Sequence, residues 1–185
     1  GSEMCIRDRY TNYPTAELFI NGKSYGKQSK NNSSLKNRYR LMWMDTKYEP
    51  GEVKVVAYDK NGKAVAEKVV RTAGKSHHIE LVSNRNELTA DGKDLAYVTV
   101  KVVDKDGNLC PADNRQINFS VKGTGKYRAA ANGDPTNLEQ FHLPKMHAFN
   151  GMLTAILQAG ETAGEIVFTA KANGVKAGNI RIQTK

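Results

Sequence analysis

The chain has 185 residues, 39% hydrophobic and 25% charged, which is material for one or two small globular domains. No run approaches the roughly 18 uninterrupted apolar residues that a spanning helix needs, which excludes a helical membrane span. The formal charge of +9 is uneven, with 15 basic and 8 acidic residues in 1–75 against 13 and 11 in 76–185. The basic residues of the first part, Lys23, Lys27, Lys30, Lys36, Arg38 and Arg40, are dispersed without an aromatic stacking platform or a nucleic-acid motif. They read as solvated charge, and no nucleic-acid partner is expected.

The segment Gly1–Arg9 (GSEMCIRDR) lacks the apolar core of a signal peptide, so it carries no address. It can be back-translated as GGC TCG GAG ATG TGT ATA AGA GAC AG, which resembles the end of a transposon adapter used in sequencing libraries; the alternative is a short natural or cloning-derived N-terminus. Residues 1–9 are therefore expected to be a non-native translated adapter, fused to an environmental bacterial reading frame that extends upstream of Tyr10. On that reading Cys5 carries no meaning and Cys110 is a lone thiol, so neither a disulfide framework nor a zinc site follows.

Sixteen glycines, with Val, Ile, Thr and Tyr in short runs, favour strands and turns. Ala16, Leu18 and Ile20 alternate with Glu17 and Phe19. Asn21-Gly22 then signals a hairpin, and Lys23–Lys27 is the return strand. Gln28–Asn37 has no periodicity and reads as a long, mobile loop. A short apolar strand around Leu41 and Trp43 follows, then an alternating strand from Val53 to Tyr58, the turn Asp59–Gly62, and a partner strand from Val65 to Thr72. Five strands in about sixty residues predict a small antiparallel sandwich.

The small, polar segment Thr72–Ser76 is the expected boundary, giving domains at 10–74 and 77–185. Beyond it Ile79 and Leu81 open a second set. Ala96, Val98, Val100 and Val102 form one inward face, and Ile117, Phe119 and Val121 another. Met152–Leu157, Glu165–Lys171 and Asn179–Ile182 complete about seven strands, an immunoglobulin-like pattern. The fold class expected is all-β, two antiparallel β-sandwich (immunoglobulin-like) domains in tandem, with no helix longer than a turn or two.

Asp104, Asp106 and Asn108 resemble the start of a calcium loop. An EF-hand needs Gly at loop position 6 and Glu at 12, where Leu109 and Arg115 stand, so a turn is expected. His77 and His78 point to opposite faces if they lie on a strand, and His142 and His147 have no ligand pair nearby, so no metal is expected. No cofactor and no catalytic residue are expected either. No nucleophile motif occurs, and Asp134 and Glu139 are the best of a weak set of carboxylates. The segment Ala129–Gly151 (AAANGDPTNLEQFHLPKMHAFNG) exceeds a normal strand connection. In it Phe141, His142 and Phe149 could present rings to a sugar, and Asn132 and Asp134 could accept hydroxyl hydrogen bonds. The bland alternative is that Phe141 and Phe149 anchor the loop to the sandwich.

With these stretches in place, the chain resembles the C-terminal accessory region of family-2 glycoside hydrolases of the β-galactosidase type. The resemblance rests on YTN (10–12), ELFINGKSYGK (17–27), MWMDTKYEPGEVKVVAYDKNGK (42–63), VVRTAGK (69–75), LTADGKDLAYVTVKVVDKDGNLCP (88–111), NGDPTN (132–137) and AFNG (148–151). Where the family pattern often reads Gly-Asp-Pro-Thr-Ser, this chain has Asn137 as the last residue, which keeps a polar turn. The resemblance implies a non-catalytic region that braces an upstream catalytic barrel of the same chain or frames its cleft. It also implies a periplasmic or secreted parent acting on β-galactosides or related plant glycans. The parent's two catalytic glutamates would lie on that barrel, so no catalytic residue carries over. The alternatives are a carbohydrate-binding module using Asn132, Asp134, Phe141 and His142, or an immunoglobulin-like spacer of a bacterial surface adhesin. A spacer array should repeat one unit, and residues 10–73 do not repeat 77–185.

Overall fold

The computed structural model describes residues 5–185; Gly1–Met4 of the adapter-like segment lie outside the described residues. The chain divides into two compact units, with the division between Thr72 and Ala73. The first contains β1 (Cys5–Tyr10), β2 (Thr15–Ile20), β3 (Lys23–Ser29), helix α1 (Leu35–Tyr39), β4 (Arg40–Thr46), β5 (Glu52–Tyr58) and β6 (Ala64–Arg71). A four-stranded antiparallel sheet in the order β3-β2-β5-β6 accompanies the two-stranded ribbon β1-β4.

The period-2 alternation of β2 buries Ala16, Leu18 and Ile20, which cluster with Val55 of β5 and with Leu41 and Trp43 of β4. The Trp43 indole N–H donates to the Gly26 carbonyl at 2.8 Å, so its one polar atom is paired. The Asn21-Gly22 turn forms as its residue types demand. Both residues have positive φ, 49° and 80°, the geometry that matches the twist of a two-residue hairpin. The Asn21 side chain also accepts from the Glu52 N–H at 2.8 Å and donates to the Pro50 carbonyl, tying the hairpin to the start of β5.

The expected mobile loop at 28–37 is more structured than its composition suggests. β3 continues to Ser29, and Lys30 bonds through its backbone to Pro14 and through its ammonium to the Thr11 carbonyl. Asn31 caps the Ser33 amide and hydroxyl before the single helical turn of α1. A short turn of this kind is held by local side-chain bonds, which hydrophobic periodicity does not register.

β1 has an unusual pattern. Directly paired residues share one face of a ribbon, and the register sets Arg7 opposite Trp43 and Arg9 opposite Leu41. Two arginines thus lie on the face that β4 uses for the core, and the Arg7 Nε is buried without a hydrogen-bond partner. Asp8, on the other face, pairs with Arg40 at 3.2 Å.

The second unit contains β7 (His78–Ser83), β8 (Glu87–Leu88), β9 (Leu95–Val103), β10 (Gln116–Gly123), β11 (Gly125–Ala131), β12 (Lys145–His147), β13 (Met152–Ala159), β14 (Gly164–Lys171) and β15 (Gly178–Thr184). One sheet runs β12-β10-β14-β15-β8, the other β11-β13-β9-β7. All pairings between these strands are antiparallel except the two-residue parallel contact of β8 with β15. Between the sheets lie Val98, Val100 and Val102 of β9, Ile117 and Phe119 of β10, Leu153 and Leu157 of β13, and Ile166 and Phe168 of β14. Phe119 stacks on Phe168 with ring centroids 5.7 Å apart. Nine strands form where about seven are expected, because β8 and β12 are too short to show a period and β11 continues into what reads as loop.

Two local features complete this unit. The turn at Asp104–Asn108 closes on the buried Asp104 carboxylate, which accepts from the amides of Gly74, Asp106 and Asn108 and from the Asn108 side chain. These bonds, the one from Gly74 foremost, hold the Asp104 carboxyl well below the usual carboxylate range. The histidine expectation is corrected. β7 begins at His78, so His77 lies outside it and strand alternation does not separate the rings. Their Nδ1 atoms are 3.0 Å apart, with the rings edge to face at 5.2 Å.

Candidate functional site

The segment 129–151 is built from the sandwich outward. β11 brings the chain to Ala131, and the return runs through β12, which pairs with β10. In β12 the alternation Lys145, Met146, His147, Ala148 buries Met146 and Ala148 completely or nearly so. Phe141, by contrast, has 54% of its surface exposed, and Phe149 is half-buried. The alternative in which both phenylalanines anchor the loop therefore fails for Phe141, while Phe149 is partly covered. The small or flexible side chains at 146 and 148 fit between the sheets, while Phe141 sits beyond the sheet edge.

The residue that fastens the loop is Tyr127. Its hydroxyl donates to the carbonyls of Leu143 at 2.7 Å and Phe141 at 3.0 Å, and its ring stacks on Phe119 at 5.6 Å. Burial pushes the phenol up to about 12, so it remains a donor at any physiological pH. The sequence signal for it was the alternation Lys126-Tyr127-Arg128 directly after Gly125, masked by the run of alanines that follows.

Each sequence-derived site residue has a definite place. The Asn132 amide donates to the His147 carbonyl, while its oxygen accepts from the Asp134 amide and the Asn137 side chain. Asp134 accepts from the Thr136 amide and hydroxyl at 2.8 and 2.7 Å, and these two bonds lower its pKa. Burial acts to raise the Glu139 carboxyl, but the His147 amide and ring, at 3.0 and 2.9 Å, bring it below its ordinary value. Phe141 and His142 are exposed side by side. The loop presents Phe141 and His142 at its surface, and it commits the Asn132 side chain and the Oδ1 of Asp134 to its own turns.

A glycosidase acid needs a raised pKa to hold its proton, and both Asp134 and Glu139 are shifted the other way. They are acceptors that order the loop. Among the described residues, no group of three or more His, Cys, Asp or Glu side chains gathers where it could hold a metal ion. Cys110 is buried, with its sulfur 3.7 Å from the Gly74 carbonyl.

This sandwich, with its ordered loop, matches the model of glycoside hydrolase family 2 C-terminal domain 5 over residues 79–181. The chain belongs to that family. Residues 9–66 match a second model, described as a domain of unknown function. The chain is 40% identical to the β-galactosidase BoGH2A of Bacteroides ovatus over 185 residues, all of this chain and 21% of that protein. A β-galactosidase of Thermoanaerobacter pseudethanolicus is 27% identical over 95% of this chain and 23% of its own length. Among solved structures, a glycosyl hydrolase family 2 member from Bacteroides cellulosilyticus superposes with a TM-score of 0.88 at 30% identity, covering 100% of this chain and 23% of that one. A β-glycosidase from Bacteroides vulgatus gives 0.90 at 26% identity, over 98% and 23%.

The chain spans about a fifth of the length of the relatives it matches. It is an all-β, C-terminal accessory region of the glycoside hydrolase family 2 type. No helix among the described residues is long and apolar enough to cross a membrane.

Proposed function

We propose that this chain is the non-catalytic accessory part of a β-galactosidase-like glycoside hydrolase, bracing the catalytic barrel of the same protein or framing its cleft. The observation that carries the proposal is that a whole, two-unit chain aligns with one fifth of a β-galactosidase at 40% identity. The lowered pKa values of Asp134 and Glu139 agree with a supporting role. For the substrate class of the parent our reading is a β-galactoside or related plant glycan, supported by the two β-galactosidases among the relatives. The two domains of this reading are residues 10–74 and 77–185. The test is direct: the purified chain folds and leaves a chromogenic β-galactoside intact, and turnover that survives repurification overturns the reading. Recovering the reading frame ahead of Tyr10 tests the parentage separately, with a (β/α)8 barrel as the expected outcome.

Residues 1–9 belong to the same proposal as a non-native, adapter-derived segment. Arg7 and Arg9 on the core-side face of β1, with a buried unpaired Arg7 Nε, support it, since a strand evolved opposite Leu41 and Trp43 carries apolar residues at such positions.

A further inference from the structure

We propose a glycan-contact site in the first unit, in the cleft between Tyr10 and Tyr39, rather than on the 129–151 loop. The cleft is open, about 390 Å3 in volume, and lined by Tyr10, Thr11, Asn12, Lys30 and Tyr39. That volume lies in the range of about 300–1,000 Å3 usual for small-ligand sites. Tyr10, the first residue after the segment proposed as non-native, lies directly opposite Arg40, and Tyr39 is the last residue of α1 immediately before that arginine.

Tyr10 and Tyr39 are 72% and 60% exposed, so their rings are open to a ligand. The floor beneath them is already ordered. The Thr11 hydroxyl accepts from the Tyr13 amide at 3.1 Å, and the Thr11 carbonyl accepts from the Lys30 ammonium. The two phenol hydroxyls and the Asn12 amide, which line the cleft, have no hydrogen-bond partner among the described residues. In the 129–151 loop, by contrast, the Asn132 side chain and the Oδ1 of Asp134 are tied to their own turns.

Exposed aromatic faces beside unpaired donors and acceptors suit a pyranose. A β-galactoside has an axial 4-hydroxyl, which gathers the C3, C4 and C5 hydrogens on one apolar face that stacks on a ring. Its hydroxyls can then meet the Asn12 amide and the remaining Lys30 N–H donors. The Arg38 guanidinium lies 6.0 Å from the Tyr39 ring centre, which leaves the other ring face for a sugar. The choice of sugar class rests on the glycosidase reading, whereas the position rests on the cleft alone.

The experiment is an NMR titration of the 15N-labelled 185-residue chain with lactose and with β-1,4-galactobiose at millimolar concentration. Saturable shifts at Thr11, Asn12, Lys30 and Tyr39 are expected. Tyr39→Ala and Asn12→Ala, both at exposed positions, should each weaken binding about threefold to tenfold, and Phe141→Ala should leave it unchanged. No saturable shift overturns the site, as do shifts confined to residues 132–142 that disappear in Phe141→Ala. If an upstream barrel is found and neither sugar binds, the cleft fails alone. If the sugars bind at Tyr39 and the upstream frame encodes no glycosidase, the parentage fails and the cleft stands.

Discussion

The two units solve the same packing problem with unequal means. Among the described residues, the second buries a cluster of nineteen residues between sheets of five and four strands, while the first buries six between a four-stranded sheet and a ribbon of two. The two-stranded layer covers β2 and part of β5, and β6 is exposed along nearly its whole length, with Val70 half exposed. Apolar area removed from water scales with the covered sheet face, so the first unit has little stability in reserve. The contrast extends to polar groups. The second unit closes turns on the carboxylates of Asp94, Asp104 and Asp113, and the first closes one on Asp59; the first also presents Tyr10, Tyr39 and Tyr48 to solvent at 60% or more.

Equal truncations in the two cores test this contrast most severely. Leu18 and Leu157 are both fully buried, and Leu→Ala costs about 2–5 kcal/mol at such sites. Leu18→Ala should unfold the first unit at room temperature, read by the fluorescence of Trp43, the one tryptophan in the sequence. Leu157→Ala should leave β9 and β13 protected from amide exchange. If the second unit melts first, the comparison is wrong.

A backbone substitution probes how tightly the second unit is drawn together. Gly123 ends β10 at φ 91°, and a Cβ there would lie 1.9 Å from the Glu165 carbonyl oxygen. Gly123→Ala should cost about 2–3 kcal/mol through left-handed strain and the clash together, measured by urea denaturation. A neutral result would show that the β10–β14 edge is slack.

Acid sharpens the comparison through Asp113, which takes the Arg115 guanidinium as a fork and accepts from Ser76. The Arg115 bonds, against the opposing effect of burial, lower its pKa to about 2. A carboxyl depressed in the folded state stabilises above its unfolded pKa of about 3.9 and loses that contribution as the pH falls towards 2. The wild-type second unit should therefore weaken across about pH 4 to 2. Asp113→Asn should cost about 1.5–3 kcal/mol at pH 7 and flatten that slope. An unchanged slope in the variant would remove Asp113 as its source.

Tyr127→Phe should have a smaller effect, about 1 kcal/mol, because the stacked ring remains while two hydrogen bonds are lost. Faster amide exchange across 141–145, with the sheets unaffected, is the expected reading. Arg7→Val is the smallest test and has the opposite sign. Removing a buried unpaired group opposite Trp43 should stabilise the first unit by up to about 1 kcal/mol, which sets a foreign strand apart from a native one.

The long strands were legible because one face of each is dry. Ala16-Leu18-Ile20 and Ala96-Val98-Val100-Val102 alternate as they do because every second residue enters a core. The Asn21-Gly22 turn was legible for a different reason, since few residue pairs accept two positive φ angles in succession. β8 and β12 were not legible, as two or three residues make no period. Strand alternation does not govern the His77-His78 pair, because β7 starts at His78.

The candidate site divides along the same line. The residue pattern alone shows that 129–151 is too long and too polar to be a simple connection, and that no calcium or nucleophile motif is met. What its groups do depends on how the chain packs. Asn132 and Glu139 find their partners in His147, 15 and 8 residues away, and Tyr127 holds carbonyls 14 and 16 residues distant. Packing also decides that Tyr10 and Tyr39, 29 positions apart, line one cleft. Periodicity reports which face of a strand is buried; which groups meet across loops depends on pairing register, and that is set by the assembled sheets.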